Sequence, residues 1–273
     1  MDTGERVKPI YIEKLFESKN PKLAKWIPGF AYSFLKKVIC QDKINDFISK
    51  YGDRRGLDFA AGILEYLEIS YQVEGEENLP TPDGRYIFVS NHALGGPDGI
   101  ILIDFLGKKY SPLKFPVNDL LMNLKNLNNI FLPVNKHGAL AKEAAAEMDA
   151  AYASDAQIIT FPAGMVSRKK NGVIQDLEWQ KSFVTKAVKH QRDIVPVHFI
   201  GQNSDFFYNL ANFRTKIGLK VNLEMMYLPK ETFKKQGAAF TIRIGKPIPW
   251  QSLDKSKTPK EWAETIRKTV YHI

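Results

Sequence analysis

The chain predicts a single α/β layered domain: a mixed, mostly parallel sheet flanked by helices, with an N-terminal helical hairpin as an appendage. Two observations carry this. From residue 69 onward, short apolar runs rich in β-branched and aromatic residues alternate with helical patterns, as parallel crossover units require. Two of those runs, Tyr86–Val89 and Ile130–Val134, are apolar without a break, as buried strands are. A length of 273 residues with 44% hydrophobic residues supplies enough core for one such domain and argues against global disorder.

Taken in order, residues 1–9 read as a loose arm and Ile10–Phe16 as a short amphipathic segment. Between Ser18 and Gln41 stand Lys19, Lys22, Lys25, Lys36 and Lys37 with no acid, interleaved with Leu23, Trp26, Ile27, Phe30, Phe34, Leu35, Val38 and Ile39 near helical spacing. Pro28-Gly29 splits this stretch into two short helices. Basic faces, aromatic anchors and a kink suit helices lying in a membrane interface, and equally suit a hairpin packed on the domain with solvated lysines. Helices follow at Ile44–Tyr51 and Leu57–Leu67, then a strand at Ile69–Val73 and a polar loop to Pro80. After the strand from Tyr86, a helix reaches Leu106 with Asp98 as its cap. Leu113–Val117 is a short strand, 119–127 is helical or irregular, and Ile130–Val134 is a strand leading to Asn135 and Lys136. An alanine-rich helix covers Ala139–Ala153. A strand at Gln157–Phe161 runs into Pro162, Gly164, Ser167 and the basic run Arg168-Lys169-Lys170. A helix at Lys181–His190 precedes the strand from Ile194. The remainder reads as a helix at Phe206–Ile217, strands at Val221–Met226 and Phe240–Ile244, and a closing helix at Pro259–Tyr271.

The bulk numbers narrow the chemistry. One cysteine, Cys40, excludes an intrachain disulfide and a cysteine-rich metal centre. No apolar run approaches the ~18 residues that span a bilayer, and no secretory signal opens the chain. The net charge of +9 with a pI near 9.3 fits anionic lipid, a phosphorylated substrate or nucleic acid. Nucleic acid is disfavoured, because the aromatics near the lysines sit at helical core spacing and no recognition module is present. There is no G-x-S-x-G elbow and no H-E-x-x-H. A metal site from His92, Asp98 and His198 rests on residue type alone.

The stretch Ser90-Asn91-His92-Ala93-Leu94-Gly95-Gly96-Pro97-Asp98 carries the most chemistry. A histidine just past a strand end, with a carboxylate across a tight turn, can be held as N–H on one nitrogen and left basic on the other. A loop histidine is often merely solvated; here the glycine pair lets a second molecule approach closely. In a mostly parallel sheet the strand C-termini share an edge, so His92, Asn135-Lys136 and the loop from Gly164 to Lys170 can converge, the last offering backbone N–H groups and cations to an anion.

The order of these parts resembles the glycerolipid acyltransferase superfamily that includes lysophosphatidate acyltransferases, over roughly residues 70–215. The family's Asn-His-x4-Asp is matched by Asn91, His92 and Asp98 with one extra residue in the spacer. Its Phe-Pro-Glu-Gly-Thr-Arg-Ser is matched by Phe161-Pro162-Ala163-Gly164-Met165-Val166-Ser167. Ile130–Lys136 approximates the second motif, and Ile194-Val195-Pro196-Val197 matches the fourth. The longer spacer and the Phe-Pro-Ala-Gly variant resemble the hemolysin-named branch, which includes acyltransferases of bacterial aminolipid synthesis.

The resemblance implies a membrane-associating helical region at 1–56 and an acyltransferase domain at 57–273. It implies transfer of an acyl group from acyl-CoA or acyl carrier protein to a lysolipid hydroxyl, on the cytoplasmic face of the membrane, by a peripheral protein needing neither metal nor other cofactor. Its expected catalytic residues are His92 and Asp98. Its expected substrate-binding residues are Asn91, Gly95, Gly96, Asn135, Lys136, Phe161, Pro162, Gly164, Ser167 and Arg168. Expected partners are anionic lipid, the lysolipid and acyl carrier protein, without nucleic acid. Ala163 and Val166 stand where the family has Glu and Arg, which favours a lyso-aminolipid whose carboxylate Arg168 holds over lysophosphatidate. The rival reading is a non-catalytic basic membrane-binding protein on a degenerate acyltransferase fold.

Overall fold

The computed structural model describes residues 9–19, 21–118, 121–134 and 140–273. Five helices precede the first strand among these residues: α1 (Ile12–Lys19), α2 (Pro21–Trp26), α3 (Gly29–Val38), α4 (Gln41–Tyr51) and α5 (Gly56–Tyr66). Then come β1 (Ser70–Glu74), β2 (Tyr86–Ser90), α6 (Pro97–Gly107), β3 (Leu113–Val117) and β4 (Phe131–Pro133). Next are α7 (Leu140–Ala153), β5 (Gln157–Thr160), the hairpin β6 (Arg168–Lys170) and β7 (Val173–Gln175), α8 (Ser182–His190) and β8 (Asp193–Ile200). The chain finishes with α9 (Asp205–Lys216), α10 (Leu228–Phe233), β9 (Ala239–Ile244) and α11 (Pro259–His272).

Seven strands form one sheet in the order β1-β9-β8-β2-β5-β3-β4. Every neighbouring pair is parallel except β8 with β9. β2 lies between β5 and β8, with Ile87 opposite both Ile158 and Ile194. Its side chains alternate between two cores. Phe88 packs with α5 and α6, whereas Ile87 and Val89 pack with Trp179, Phe183 and Ala263. A strand buried on both faces must be apolar throughout, which is why β2 was legible as a run. β2, β5 and β8 run the same way, so the loops after Ser90, Thr160 and Ile200 leave one edge of the sheet.

The structure departs from expectation at four places. Val221–Met226 is not a strand; Leu223–Tyr227 is a 3₁₀ turn on the surface, and its apolar side chains find no sheet to join. Arg168-Lys169-Lys170 is not a loop but strand β6, with Lys169 opposite Ile174. Asp98 is not the cap of α6: Gly96 is, with Pro97 in the first helical position and Asp98 in the first turn. The helix α10 carries no apolar periodicity strong enough to announce it. The break at Pro28 falls as expected, with Pro28 as the N-cap of α3.

Among the described charges, Arg192 is wholly buried and faces no carboxylate. Its guanidinium donates to the carbonyls of Tyr152 (2.7 Å) and Ala156 (2.7 Å), more weakly to Ala151 and Tyr86 (both 3.4 Å), and also to Ser154. Ala151 and Tyr152 belong to the last turn of α7, whose carbonyls have no partner within the helix. Arg192 therefore caps α7 and ties it to β2 and β5, and the negative end of the helix dipole supports its charge. Desolvation pulls its pKa down to about 10, still far above neutrality. Replacing Arg192 by Leu is expected to strand these carbonyls and lower unfolding stability by about 3 kcal/mol, read as a lower urea midpoint at unchanged slope.

Candidate active site

The site grows from the C-terminal end of β2. Asn91 turns inward: its amide donates to the Phe199 carbonyl (3.0 Å) and its oxygen accepts the Phe199 N–H (2.7 Å). That pair locks the start of the loop to β8. His92 comes next, with Nδ1 2.9 Å from Asp98 Oδ2. The Asp98 carboxylate in turn accepts backbone N–H bonds from Leu94 (2.8 Å), Gly95 (3.1 Å), Gly96 (3.0 Å) and Gly99 (3.0 Å). The turn wraps the carboxylate with donors at a helix N-terminus, where negative charge is favoured. Gly95 permits this wrapping. Its φ is +88°, and a Cβ would lie 2.6 Å from Val166 Cγ2 and 2.9 Å from Leu228. Leu94 is tucked inside, its carbonyl accepting from Asn203 Nδ2 (3.1 Å).

Opposed effects set the charge states. Burial pushes the Asp98 carboxyl up; the charge and hydrogen bond of His92 and the ring of N–H groups outweigh it, and the group lies below the usual carboxylate range. Burial pulls His92 down; the charge and hydrogen bond of Asp98, with a smaller push from Asp176, outweigh it, and the imidazole lies above its ordinary value. An ionised Asp98 accepts only, so the proton of the pair sits on Nδ1. Nε2 has no protein partner among the described residues, and the side chain keeps 19% of its surface exposed. The ring stacks on Phe161 at 4.1 Å and 15° between planes, and Phe161 meets Phe115 edge-on at 5.4 Å. The imidazole is thus fixed in rotation by the carboxylate and in tilt by the phenyl ring.

A second buried carboxylate lies beneath this loop. Asp176 accepts from the His92 N–H (3.1 Å), Ser167 Oγ (2.6 Å) and Trp179 Nε1 (2.8 Å), while its own N–H donates to Tyr271 Oη (2.7 Å). Burial raises its pKa, with Ser167 and Trp179 opposing. The Ser167 N–H also donates to the His92 carbonyl at 2.7 Å. Sequence reasoning missed Asp176 altogether, since a lone acid after a short apolar run carries no spacing signal.

The expected site residues fall into three groups. His92, Asp98, Gly95, Gly96 and Phe161 come together, and Ser167 and Pro162 tie the third strand-end loop to the rest; the Pro162 carbonyl accepts from the Gln180 N–H at 3.0 Å. Gly164 (φ +63°) faces open space, but its N–H closes a turn onto Phe161 at 2.9 Å. Asn135 and Lys136 lie outside the described residues. Two expectations are corrected. Asn91 is 3% exposed and its amide pairs through both oxygen and nitrogen with the backbone of β8, so it fixes the loop from within rather than facing a substrate. Arg168 is buried and donates to Glu224 (2.8 Å) and to the Val166 carbonyl (2.6 Å); Arg214 closes on the same Glu224 at 2.9 Å. A guanidinium held this way is not free for a head group. The N–H groups of Gly95 and Gly96 are taken by Asp98. Those of Met165 and Val166 have no partner among the described residues. His198 sits apart, against the Tyr271 ring, and no group of three or more His, Cys, Asp or Glu among the described residues is arranged to hold a metal.

Comparison with known proteins places these features in a lineage. A family model described as "Acyltransferase" matches residues 14–273. A lyso-glycine lipid O-acyltransferase of Bacteroides thetaiotaomicron is 49% identical over 265 residues, covering 97% of both chains. A protein of the same name from Phocaeicola vulgatus is 46% identical over 272 residues, covering 99% of this chain and 97% of that one. The crystal structure of PlsC, the 1-acyl-sn-glycerophosphate acyltransferase of Thermotoga maritima, aligns over 96% of this chain and 86% of its own at 18% identity. Its TM-score is 0.46, a likeness too distant to bear on the site.

The bonds beneath His92 yield a stability test. Asp176→Ala leaves three donors without their acceptor in a dry site and is expected to cost about 2–4 kcal/mol, measured by urea unfolding. Asp176→Asn keeps one accepting oxygen and is expected to cost less than the alanine change.

Proposed function

Since this chain belongs to the acyltransferase family, we propose that it moves a fatty acyl group from a thioester to the hydroxyl of a lyso-aminolipid with a glycine head group, in the synthesis of a bacterial membrane lipid. One observation carries the chemistry: His92 is held by a dedicated carboxylate on one nitrogen and is unpartnered on the other. The acceptor hydroxyl donates its proton to His92 Nε2 as its oxygen bonds to the thioester carbonyl carbon. Asp98 keeps Nδ1–H in place and balances the imidazolium without taking its proton. The tetrahedral intermediate collapses, the C–S bond breaks, and the imidazolium returns the proton to the leaving thiolate. The N–H of Met165, which is only partly buried and has no partner among the described residues, is a donor left for the developing oxyanion. A positioned base of this kind contributes about 10²–10⁴-fold.

The acceptor follows from what the pocket loop lacks. Ala163 and Val166 offer no charge, and Arg168 is neutralised by Glu224. A phosphate monoester would find no arginine fork here. A glycine joined through its nitrogen presents one carboxylate, which asks for fewer donors. The relatives named for lyso-glycine lipid support the same acceptor. The donor is a thioester of coenzyme A or of acyl carrier protein.

The protein acts as a peripheral one at the cytoplasmic face, where such thioesters are made. Among the described residues no helix is long and apolar enough to cross a membrane. Trp26 and Phe30 stand 85% and 78% exposed beside Lys25, so α2 and α3 dock on anionic lipid. Lys36, one of the lysines of this stretch, is paired with Glu13.

Two measurements test the reading. Purified protein is given lyso-glycine lipid or lysophosphatidate with acyl-CoA or acyl carrier protein thioester, and products are identified by mass. Lyso-glycine lipid is expected to be strongly preferred, and His92→Ala to lose about 10²-fold or more; equal use of lysophosphatidate, or a near-normal His92→Ala, overturns the assignment. Second, His92 must be neutral to accept a proton and its pKa lies above the ordinary ~6.5. The rate kcat/KM is therefore expected to rise with pH through a midpoint above that value. Asp98→Asn removes the charge that raises it, so the midpoint is expected to move down while the rate falls.

A further inference from the structure

α9 has two unlike faces. Phe207, Tyr208 and Ala211 point inward, while Phe206 and Phe213, seven residues apart, and Ile217, four further on, fall on the outer side. The outer stripe does not end with the helix. Phe213, Ile217 and Val221 are 61%, 58% and 62% exposed, and Leu219 and Met226 are exposed with them. Single exposed apolar residues are ordinary; a run of this length on one segment is the mark of a contact surface.

Charge says what the contact is. Between Phe206 and Lys230 the one acid is Glu224, and it is buried between Arg168 and Arg214. The exposed charges of the stretch that has no such partner are Lys216, Lys220 and Lys230. The exposed acid of α9, Asp205 at its start, is paired with Lys169 at 2.7 Å; the aromatic and aliphatic side chains beyond it stand among lysines and complement a bilayer carrying anionic lipid.

Position says why it is there. The inner side of the same unit holds the catalytic loop: Met225 and Leu228 pack with Val166, Phe207 and Tyr208, and Leu228 closes over Gly95. Thr232 of α10 lies beside Gly96. From there α10 reaches the N-terminal helices, with Lys43 of α4 over the Phe233 ring at 5.2 Å.

We propose that the outer face of α9 and the segment through Met226 is a second bilayer-docking surface, selective for anionic lipid, that sets the loop bearing His92 and Asp98 against the membrane. The docking of this face stands on these residues alone; the two-point hold that follows from it rests also on the docking proposed for α2 and α3. The lysolipid then meets the site from a bilayer held at two points, which fixes the orientation of the protein as one point would not.

The test places a reporter on the surface. In a full chain carrying Trp26→Phe, Phe213→Trp is mixed with vesicles of phosphatidylcholine and phosphatidylglycerol, with and without brominated acyl chains. The new indole is expected to shift to the blue and to be quenched by bromine beyond the parent chain. Lys216→Glu with Lys220→Glu is expected to weaken vesicle partition by about tenfold or more. Phe213→Trp unshifted and unquenched on vesicles that bind the protein overturns the proposal, as does unchanged partition of the double-glutamate variant. So does lipid-free dimerisation abolished by Phe213→Ser, which would assign the face to a second copy. Acyl transfer to detergent-dispersed acceptor is expected to be retained in these variants, and its presence or absence reads the catalytic assignment separately.

Discussion

Everything at the site depends on a carboxylate that is kept charged where charge is costly. Asp98 is wholly buried, and a carboxylate there would ordinarily take up a proton. Four backbone N–H groups and one imidazole N–H prevent it. The conformation of the whole turn follows from that demand. Gly95 must take a positive φ, Pro97 must start α6, and Leu94 must fold inward so that the N–H groups point at one pair of oxygens. The same arrangement leaves His92 with one outcome, a fixed Nδ1–H and a bare Nε2. Rigidity and basicity here have one source.

The loop would still be free to rock without a floor. Asp176 supplies it, joining the His92 N–H, the Ser167 hydroxyl and the Trp179 indole from three segments. Glu224 does similar work farther out, holding Arg168 and Arg214. Arg192 does it with carbonyl oxygens alone. In each case a buried charge is stabilised by fixed partners rather than by water, so loss of any partner leaves an unpaired ion or dipole in a dry place. Such centres specify one arrangement among the loops at the sheet edge, which is what the proposed placing of a base against a bound hydroxyl would require.

The proposed acceptor would have to be reached from a bilayer. The chain leaves Trp26, Phe30 and Phe34 exposed, and likewise Phe213, Ile217 and Val221. Burying either set in the core was open to a protein with this much apolar sequence. Under the docking proposed above, a membrane would cover both sets, and α10 lies between the second set and the turn that holds Asp98.

Much of the architecture was present in local sequence. Tyr86–Ser90 and Ile194–Ile200 read as strands because an interior strand with both faces covered is apolar at nearly every position. His92 and Asp98 were legible as a pair because a tight turn brings neighbours in the chain into contact, and local chain geometry is what sequence spacing encodes. The run Val221–Met226 misled for the converse reason: its apolar residues serve a surface, and hydrophobicity alone does not say which side of a protein will be dry. Arg168 misled because its partner Glu224 is 56 residues away. Asp176 stayed invisible because its donors come from the β2 loop, the third loop and the turn before α8. Partners of buried charges are selected by packing between distant segments, where the desolvation of each ion is balanced only once the whole fold is assembled, and that selection belongs to the tertiary structure.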